Sequence, residues 1–547
     1  MREILREIEG QTFDVVIVGG GINGAGVARD AAMRGLRVLL LEKGDLASGT
    51  TAWSTRLIHG GLRYLEHGEV GLVRESLRER ERLFRIAPHL VRPLSMLIPL
   101  YSKARRGRLT VRAGMLAYDL LSFDKSLARH QMLSRAETLR RAPGLSADGL
   151  LGAAVYYDAQ VEYPERLVLE SALSAREHGA TILTYARVER LLSEGGRIEG
   201  VEFRDSLAGG ELQTARARIV VNAAGPWVDR VLLGADSLQP PRLIGGTKGS
   251  HIVVEAFAGA PPRDALYAEA HADARPFFII PWNGRFLIGT TDTRFDADPD
   301  EAAPCEDEID YLLRETNCLL PSAKLGRESV LYAYSGVRPL AYSGAQTEAA
   351  ITRRHFIHDH APAPDGLISI VGGKLTTYRN LSEQTVDLLF RKLNLKSPAC
   401  TTGTRPLPGA EVEDFASFSA DFKKHSPLPA ASSARLFRIY GTRTAQILSL
   451  VSADSTLGEP FSPSTGAIGA EILFAFQHEL AETLVDCLWR RTLVGFSSDD
   501  VMQDAEAASL VARRHLGWSA RRVARELAAC HEYLARFKAK REGKSEP

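Results

Sequence analysis

The stretch that decides the fold is FDVVIVGGGINGAGVARDAAMRGLRVLLLEK, Phe13 to Lys43. Val15–Val18 is an unbroken apolar run, the pattern of a parallel strand buried on both faces. Gly19, Gly21 and Gly24 follow as G-x-G-x-x-G, with Asn23 inside the turn. Ala25–Arg34 is Ala-rich and reads as a helix closed by Gly35, and Val38–Leu41 is a second strand ending at Glu42. Each glycine has a task. The first makes the tight turn, the second lets a pyrophosphate approach the backbone, and the third packs helix on strand. The helix N-terminus then faces the phosphates. Glu42 stands 18 residues after Gly24 (42 − 24), placed to accept ribose hydroxyls. This is a dinucleotide site in its full strand–turn–helix–strand context.

Working outward, RIVVNAAGPWVDRVL (Arg218–Leu232) is another buried strand ending in a small-residue turn. LISIVGGKLTTYRNLSEQTVDLLFRKL (Leu367–Leu393) is a third strand, a Gly372-Gly373 turn and a long helix. A helix starting beside Lys374 would aim its positive end at a flavin ring and stabilise the anionic reduced form. Three such crossings, far apart in sequence, describe a domain assembled from discontinuous segments with a cap inserted between them. STRLIHGGLRYLEHGEV (Ser54–Val70) sets His59, Arg63 and Tyr64 around Gly60-Gly61, a pattern suited to a ligand-facing loop.

The bulk numbers fit a soluble globular protein of two or three domains. At 547 residues the chain exceeds one ordinary core. Its net charge of +1 gives no nucleic-acid signature. Five scattered cysteines, with no C-x-x-C pair, point to reduced thiols, a cytoplasmic setting and no zinc site. The N-terminus is too charged for a signal peptide, and no apolar run approaches the ~20 residues of a membrane span. MLIPLYSKARRGRLTVRAGMLAYDLL (Met96–Leu121) mixes Lys103, Arg105, Arg106, Arg108 and Arg112 with large apolar residues, as a segment lying on anionic lipid would. TTGTRPLPGAEVEDF (Thr401–Phe415) is a Gly/Pro-rich boundary, after which the pattern is helical, with Ser498 as an expected N-cap.

VVIVGGGINGAGVARDAAMRG, RLIHGGLRYLEHGEVGLVRESLRERERL, KGSHIVV, LIGTTDT, YSGVRPL, AITRRH, VGGKLTTYR and LWRRT occur in order along nearly the whole chain. Together they resemble the FAD-dependent, respiratory glycerol-3-phosphate dehydrogenases. The resemblance implies an α/β flavoprotein with two dinucleotide-binding segments, of the glycine/D-amino-acid oxidase type, with an antiparallel-sheet cap and a helical C-terminal domain. The expected boundaries are 1–80, 151–235 and 355–400 for the FAD domain, 81–150 and 236–354 for the cap, and 401–547 for the helical domain.

The implied reaction moves a hydride from C2 of sn-glycerol 3-phosphate to FAD and passes electrons to a membrane quinone. The competing acceptor is O2, giving peroxide. A phosphate dianion calls for Arg forks. Arg338, expected in a short loop, and Arg353, preferred over Arg354, would bind it together with Arg63 and Tyr64. His251, Arg338 and Lys374 are the expected catalytic groups, with His251 the preferred base because its ordinary pKa suits proton transfer at neutral pH. Expected around the cofactor are Gly19, Gly21, Asn23, Gly24, Glu42, Ser54, His59, Gly60, Gly61, Val188, Ala224, Gly225 and Trp227, then Gly373, Lys374, Leu375 and Thr376. The resemblance further implies a homodimer, peripheral on the inner face of the cytoplasmic membrane, with an anionic lipid surface as a partner.

Overall fold

The computed structural model describes residues 2–538 other than 208, 235–240, 262 and 344–352. Part of AITRRH and the basic run after Lys538 therefore lie outside the described residues.

Thr12–Val18 is the centre of the first sheet. It pairs in parallel with Val38–Leu41 on one side and Leu212–Asn222 on the other. Thr181–Leu183 and Leu367–Val371 extend the sheet in parallel, and Phe356–Asp359 closes one edge antiparallel. Strand alternation explains why these runs are apolar throughout. Val15, Ile17, Val38, Leu40, Val221 and Ile370 pack under the helices Ile22–Met33, Pro164–Glu177 and Tyr378–Leu393. Val16, Val18, Leu39, Leu41 and Val220 face the opposite way, toward Val201, Phe203 and Ala215. The first helix begins at Ile22, earlier than its Ala-rich run suggests, because Gly21 is already its N-cap.

The second sheet carries the cap. Thr247–Val254 sits between Arg285–Gly289 and Val330–Arg338, both antiparallel. One pairing departs from the expected all-antiparallel cap: Asp264–Glu269 runs parallel to Val91–Tyr101. Those strands come from the two separate cap insertions, so no hairpin dictates their direction. The boundary at 151 also moves. Leu150–Val161 pairs along its length with Val91–Tyr101 and belongs to the cap sheet, as does the short Leu57–Ile58 strand. Arg338 ends the Val330–Arg338 strand rather than lying in a loop, since Thr247 pairs with it.

The C-terminal part is helical, with a break after Gly469–His478 and a π turn at Cys487–Arg491. Asp500, not Ser498, caps the Val501–His515 helix, accepting from the Gln503 N–H at 3.0 Å. This part docks through buried charge. Asp45, just after the second strand, accepts from Arg491 through both oxygens (2.7 and 2.8 Å) and from Arg490. Arg166 is likewise bidentate to Glu479.

Candidate active site

A cleft of about 1150 Å3 runs from the glycine turn to the cap sheet. At one end Gly19 (φ +110°) leaves no room for a side chain, because a Cβ would stand 2.7 Å from the Ala223 carbonyl oxygen. Gly24 does not line the cleft. A Cβ there would meet the Gly19 carbonyl oxygen at 1.9 Å, so this glycine seats the helix on the strand. Glu42 accepts from the Gly20 N–H (2.6 Å) and the Gly44 N–H (2.8 Å). Burial raises its carboxyl pKa, while those two N–H groups oppose the rise. Gly21, Asn23, Ser54, Val188, Ala224, Gly225 and Trp227 all line the same cleft. Lys43, which the sequence reading passed over, sits 3.9 Å above the Trp227 ring and pairs with Asp300 of the cap.

The cleft fits FAD. It is long, glycine-floored at the turn, and flanked by an acid at the ribose position. Two of its lining groups, Asn23 Oδ1 and Trp227 Nε1, are buried polar atoms without a protein partner. Such atoms ordinarily find one.

The Gly60-Gly61 pair turns out to make room for protein rather than cofactor. A Cβ at Gly60 would strike Tyr118 Oη, whose hydroxyl accepts from the Gly60 N–H at 3.1 Å, and Gly60 does not line the cleft. Gly61 (φ +76°) lines it, but a Cβ there would strike the Tyr64 ring. The turn Leu62–His67 thereby brings Arg63 and Tyr64 to the far end of the cleft. His59 borders the same end. Burial lowers its pKa to about 4, with Lys374 adding to the effect, so the ring is neutral.

Arg63, Arg338, Arg353 and Lys374 line the cleft and gather around Tyr64, with Arg275 beside them at the Asp292 carbonyl. Lys374 Nζ lies 3.7 Å from the Tyr64 ring centroid. Lys374 is not at a helix start, because the helix begins at Tyr378 with Thr377 as N-cap. Lys374 and Leu375 instead form the turn between the Gly372-Gly373 corner and the helix, with Gly373 and Leu375 on the cleft wall. Burial lowers the Lys374 ammonium to about 7, and Arg353 contributes. Arg338 and Arg353 share Asp292, at 2.9 and 3.0 Å. Asp292 had no assigned role, although it lies inside LIGTTDT.

His251 and Thr376 line a smaller adjoining chamber, not the main cleft. His251 is 2% exposed, stacks on Tyr334 at 5.0 Å, and shares a hydrogen bond of 2.9 Å between Nε2 and Thr55 Oγ1. Burial, with Arg338 and Arg56 nearby, lowers its pKa to about 3. A group that holds a proton so weakly is a poor acceptor, whereas Lys374 on the main cleft is lowered only to about 7. Thr376 Oγ1 accepts from the His59 N–H at 3.1 Å and ties the two loops together.

Comparison with known proteins agrees with this geometry. The family model for FAD dependent oxidoreductase matches residues 14–379, and the model for the C-terminal domain of alpha-glycerophosphate oxidase matches 400–523. The chain is 47% identical to the glycerol-3-phosphate dehydrogenase of Synechocystis sp. over 538 residues, covering 96% of this chain and 97% of that one. It is 35% identical to glycerol-3-phosphate dehydrogenase 2 of Mycobacterium tuberculosis, covering 98% and 90%. The crystal structure of the glycerol-3-phosphate dehydrogenase from Bacillus halodurans complexed with FAD superposes with a TM-score of 0.81 at 29% identity, covering 98% and 97%. The cofactor of this fold is FAD, and the chain belongs to the FAD dependent oxidoreductases, within their glycerol-3-phosphate dehydrogenase branch.

Proposed function

We propose that the protein oxidises sn-glycerol 3-phosphate at C2 to dihydroxyacetone phosphate and passes the electrons to a membrane quinone. The observation that carries the substrate is the cluster of Arg63, Arg338, Arg353 and Lys374 around Tyr64 on the cleft wall. A phosphate dianion needs fixed, partly desolvated positive charge, and arginine supplies it with directional donors. The glycine-turn end of the cleft, from Gly19 to Trp227, suits the adenosine and pyrophosphate of FAD. Held there, FAD would supply the acceptor for the C2 hydride. Lys374 takes the hydroxyl proton. With a pKa of about 7 it is free of its own proton in a large fraction of molecules at neutral pH. Tyr64, whose phenol burial holds above its ordinary pKa, stays a neutral hydroxyl donor beside it.

The membrane acceptor is supported by the helix Arg108–Leu121. Val111, Met115 and Tyr118 are buried, whereas Leu109, Leu116, Leu120 and the following Phe123 are exposed. Arg105, Arg108 and Arg112 are exposed beside them. Apolar side chains rimmed by basic ones suit a surface of anionic lipid. No helix among the described residues is long and apolar enough to cross a membrane. The rival acceptor is O2, as the match to an oxidase C-terminal domain allows.

Anaerobic mixing of the FAD-loaded protein with sn-glycerol 3-phosphate tests both parts. The flavin absorbance is expected to bleach, to recover on addition of a soluble quinone, and to recover slowly in air. Fast recovery in air with peroxide would make it an oxidase. Absence of bleaching would remove the substrate.

A further inference from the structure

An anion site is an unexpected place for a carboxylate, yet Asp292 stands between Arg338 and Arg353, two of the arginines that line the cleft. It lies in the segment after Arg285–Gly289, and its side chain is 17% exposed. The two arginines are not equivalent around it. Arg338 spends its four terminal N–H groups on the protein. Nη1 donates to Asp292 Oδ1 (2.9 Å) and Thr247 Oγ1 (3.4 Å), and Nη2 donates to Thr290 Oγ1 (3.0 Å) and the Thr291 carbonyl (3.2 Å). Arg353 gives Nη2 to Asp292 Oδ2 (3.0 Å), while its Nη1 is buried and has no hydrogen-bond partner. Side-chain exposure is 26% for Arg338 and 18% for Arg353. A buried guanidinium nitrogen left unpaired beside a cleft is a donor waiting for a ligand oxygen.

We propose that Asp292 is a positioning residue that gives the two arginines different tasks: it fastens Arg338 into the wall and turns the free edge of Arg353 toward the phosphate of the substrate. The inference rests on the phosphate-ester reading of the site. The carboxylate costs the pocket anion affinity, because it cancels one of the positive charges at close range. What it returns is orientation. Two guanidiniums this close repel, and one carboxylate with an oxygen for each fixes both planes. A positioned phosphate holds C2 in register for reaction, and small misplacements are costly in rate. Asp292 therefore trades tightness of anion binding for geometry.

The test separates charge from position. FAD-loaded protein is dialysed to equilibrium against labelled inorganic phosphate, and flavin bleaching by saturating sn-glycerol 3-phosphate is followed in parallel. In Asp292→Asn, inorganic phosphate is expected to bind about 10-fold tighter, since a full negative charge has left the pocket. Bleaching is expected to slow by about 10-fold or more. In Asp292→Glu, which keeps the charge and moves it by one methylene, phosphate affinity should stay within about 2-fold while bleaching remains slow. A merely structural role would weaken binding and rate together. Unchanged or weaker phosphate binding in Asp292→Asn, bleaching at the wild-type rate in either variant, or loss of flavin from both would overturn the assignment. If the wild-type protein does not bleach with sn-glycerol 3-phosphate, the function reading fails. The phosphate dialysis would still report on the charge.

Discussion

At the scale of single residues, the site is governed by how much water each charged group has lost. Lys374 is the sharpest case, its ammonium lowered to about 7 by burial first and by Arg353 as well. If it accepts the hydroxyl proton, kcat/KM for the reductive half-reaction should rise about tenfold per pH unit below about 7 and level above it, because only the deprotonated amine accepts. In Lys374→Arg, which cannot deprotonate, the rate should fall by about 10²–10⁴ and the limb near 7 should vanish. Stopped-flow bleaching from pH 5.5 to 9 reads both, and a surviving limb would move the proton elsewhere. The glycine fingerprint and the arginines were legible in the sequence because turn chemistry is local and an Arg in a short polar motif stands out. Asp292 was not, since its partners lie 46 and 61 residues away. Nor was Arg536, which lines the cleft and stacks 4.5 Å from the Trp53 ring, having nothing around it in sequence to mark it. Gly60 was misread because a glycine beside a ligand loop and a glycine under a packed Tyr118 look the same in one dimension.

At the scale of elements, the strands of the first sheet could be read directly, since a strand buried on both faces is apolar without interruption. The helix Arg108–Leu121 was legible as amphipathic but not in its details. Its buried side is Val111, Met115 and Tyr118, and Arg106 just before it is spent on ion pairs with Glu66 and Glu269. The exposed cations Lys103, Arg105, Arg108 and Arg112 are the ones free to meet lipid headgroups. Changing these four to Gln should weaken flotation with vesicles containing phosphatidylserine by about 1 kcal/mol per charge, leaving bleaching by substrate intact. Undiminished flotation would remove this helix from the lipid contact. The end of Val330–Arg338 was read as a loop because Pro339 follows. The pairing that carries the strand to Arg338 comes from Thr247–Val254, a segment the local pattern does not contain.

At the scale of the whole molecule, the discontinuous arrangement followed from three widely spaced strand–turn–helix units, but the border at residue 151 did not. Pairing with Val91–Tyr101 and Gln131–Ser134 assigns Leu150–Val161 to the cap sheet. The docking of the C-terminal part was not legible at all, because it joins side chains far apart in sequence, through buried ion pairs and through an apolar cluster that Trp53 and Trp282 share with Phe496. Burial alone would raise the Asp45 carboxyl, yet Arg491 and Arg490 hold it below its ordinary pKa. A depressed pKa means that this stabilisation is present above the unfolded value near ~3.9 and is lost as pH falls through the folded one. Arg491→Ala leaves Asp45 buried and less compensated, and should cost about 3–5 kcal/mol in urea unfolding. A cost under about 1 kcal/mol, the range of exposed pairs, would show that the contact is ornamental. The same contact sets an order of events during synthesis. Asp45 belongs to the loop that leans on the glycine turn, through the Ala47 N–H to the Gly20 carbonyl at 3.0 Å. Its counter-ions arrive 445 and 446 residues later. At roughly 5–20 residues per second that is a wait of about 20–90 s, within which the partner strands Thr181–Leu183, Leu212–Asn222 and Leu367–Val371 are also made. The loop after the second strand therefore closes on its counter-ions only after every strand of that sheet has been synthesised.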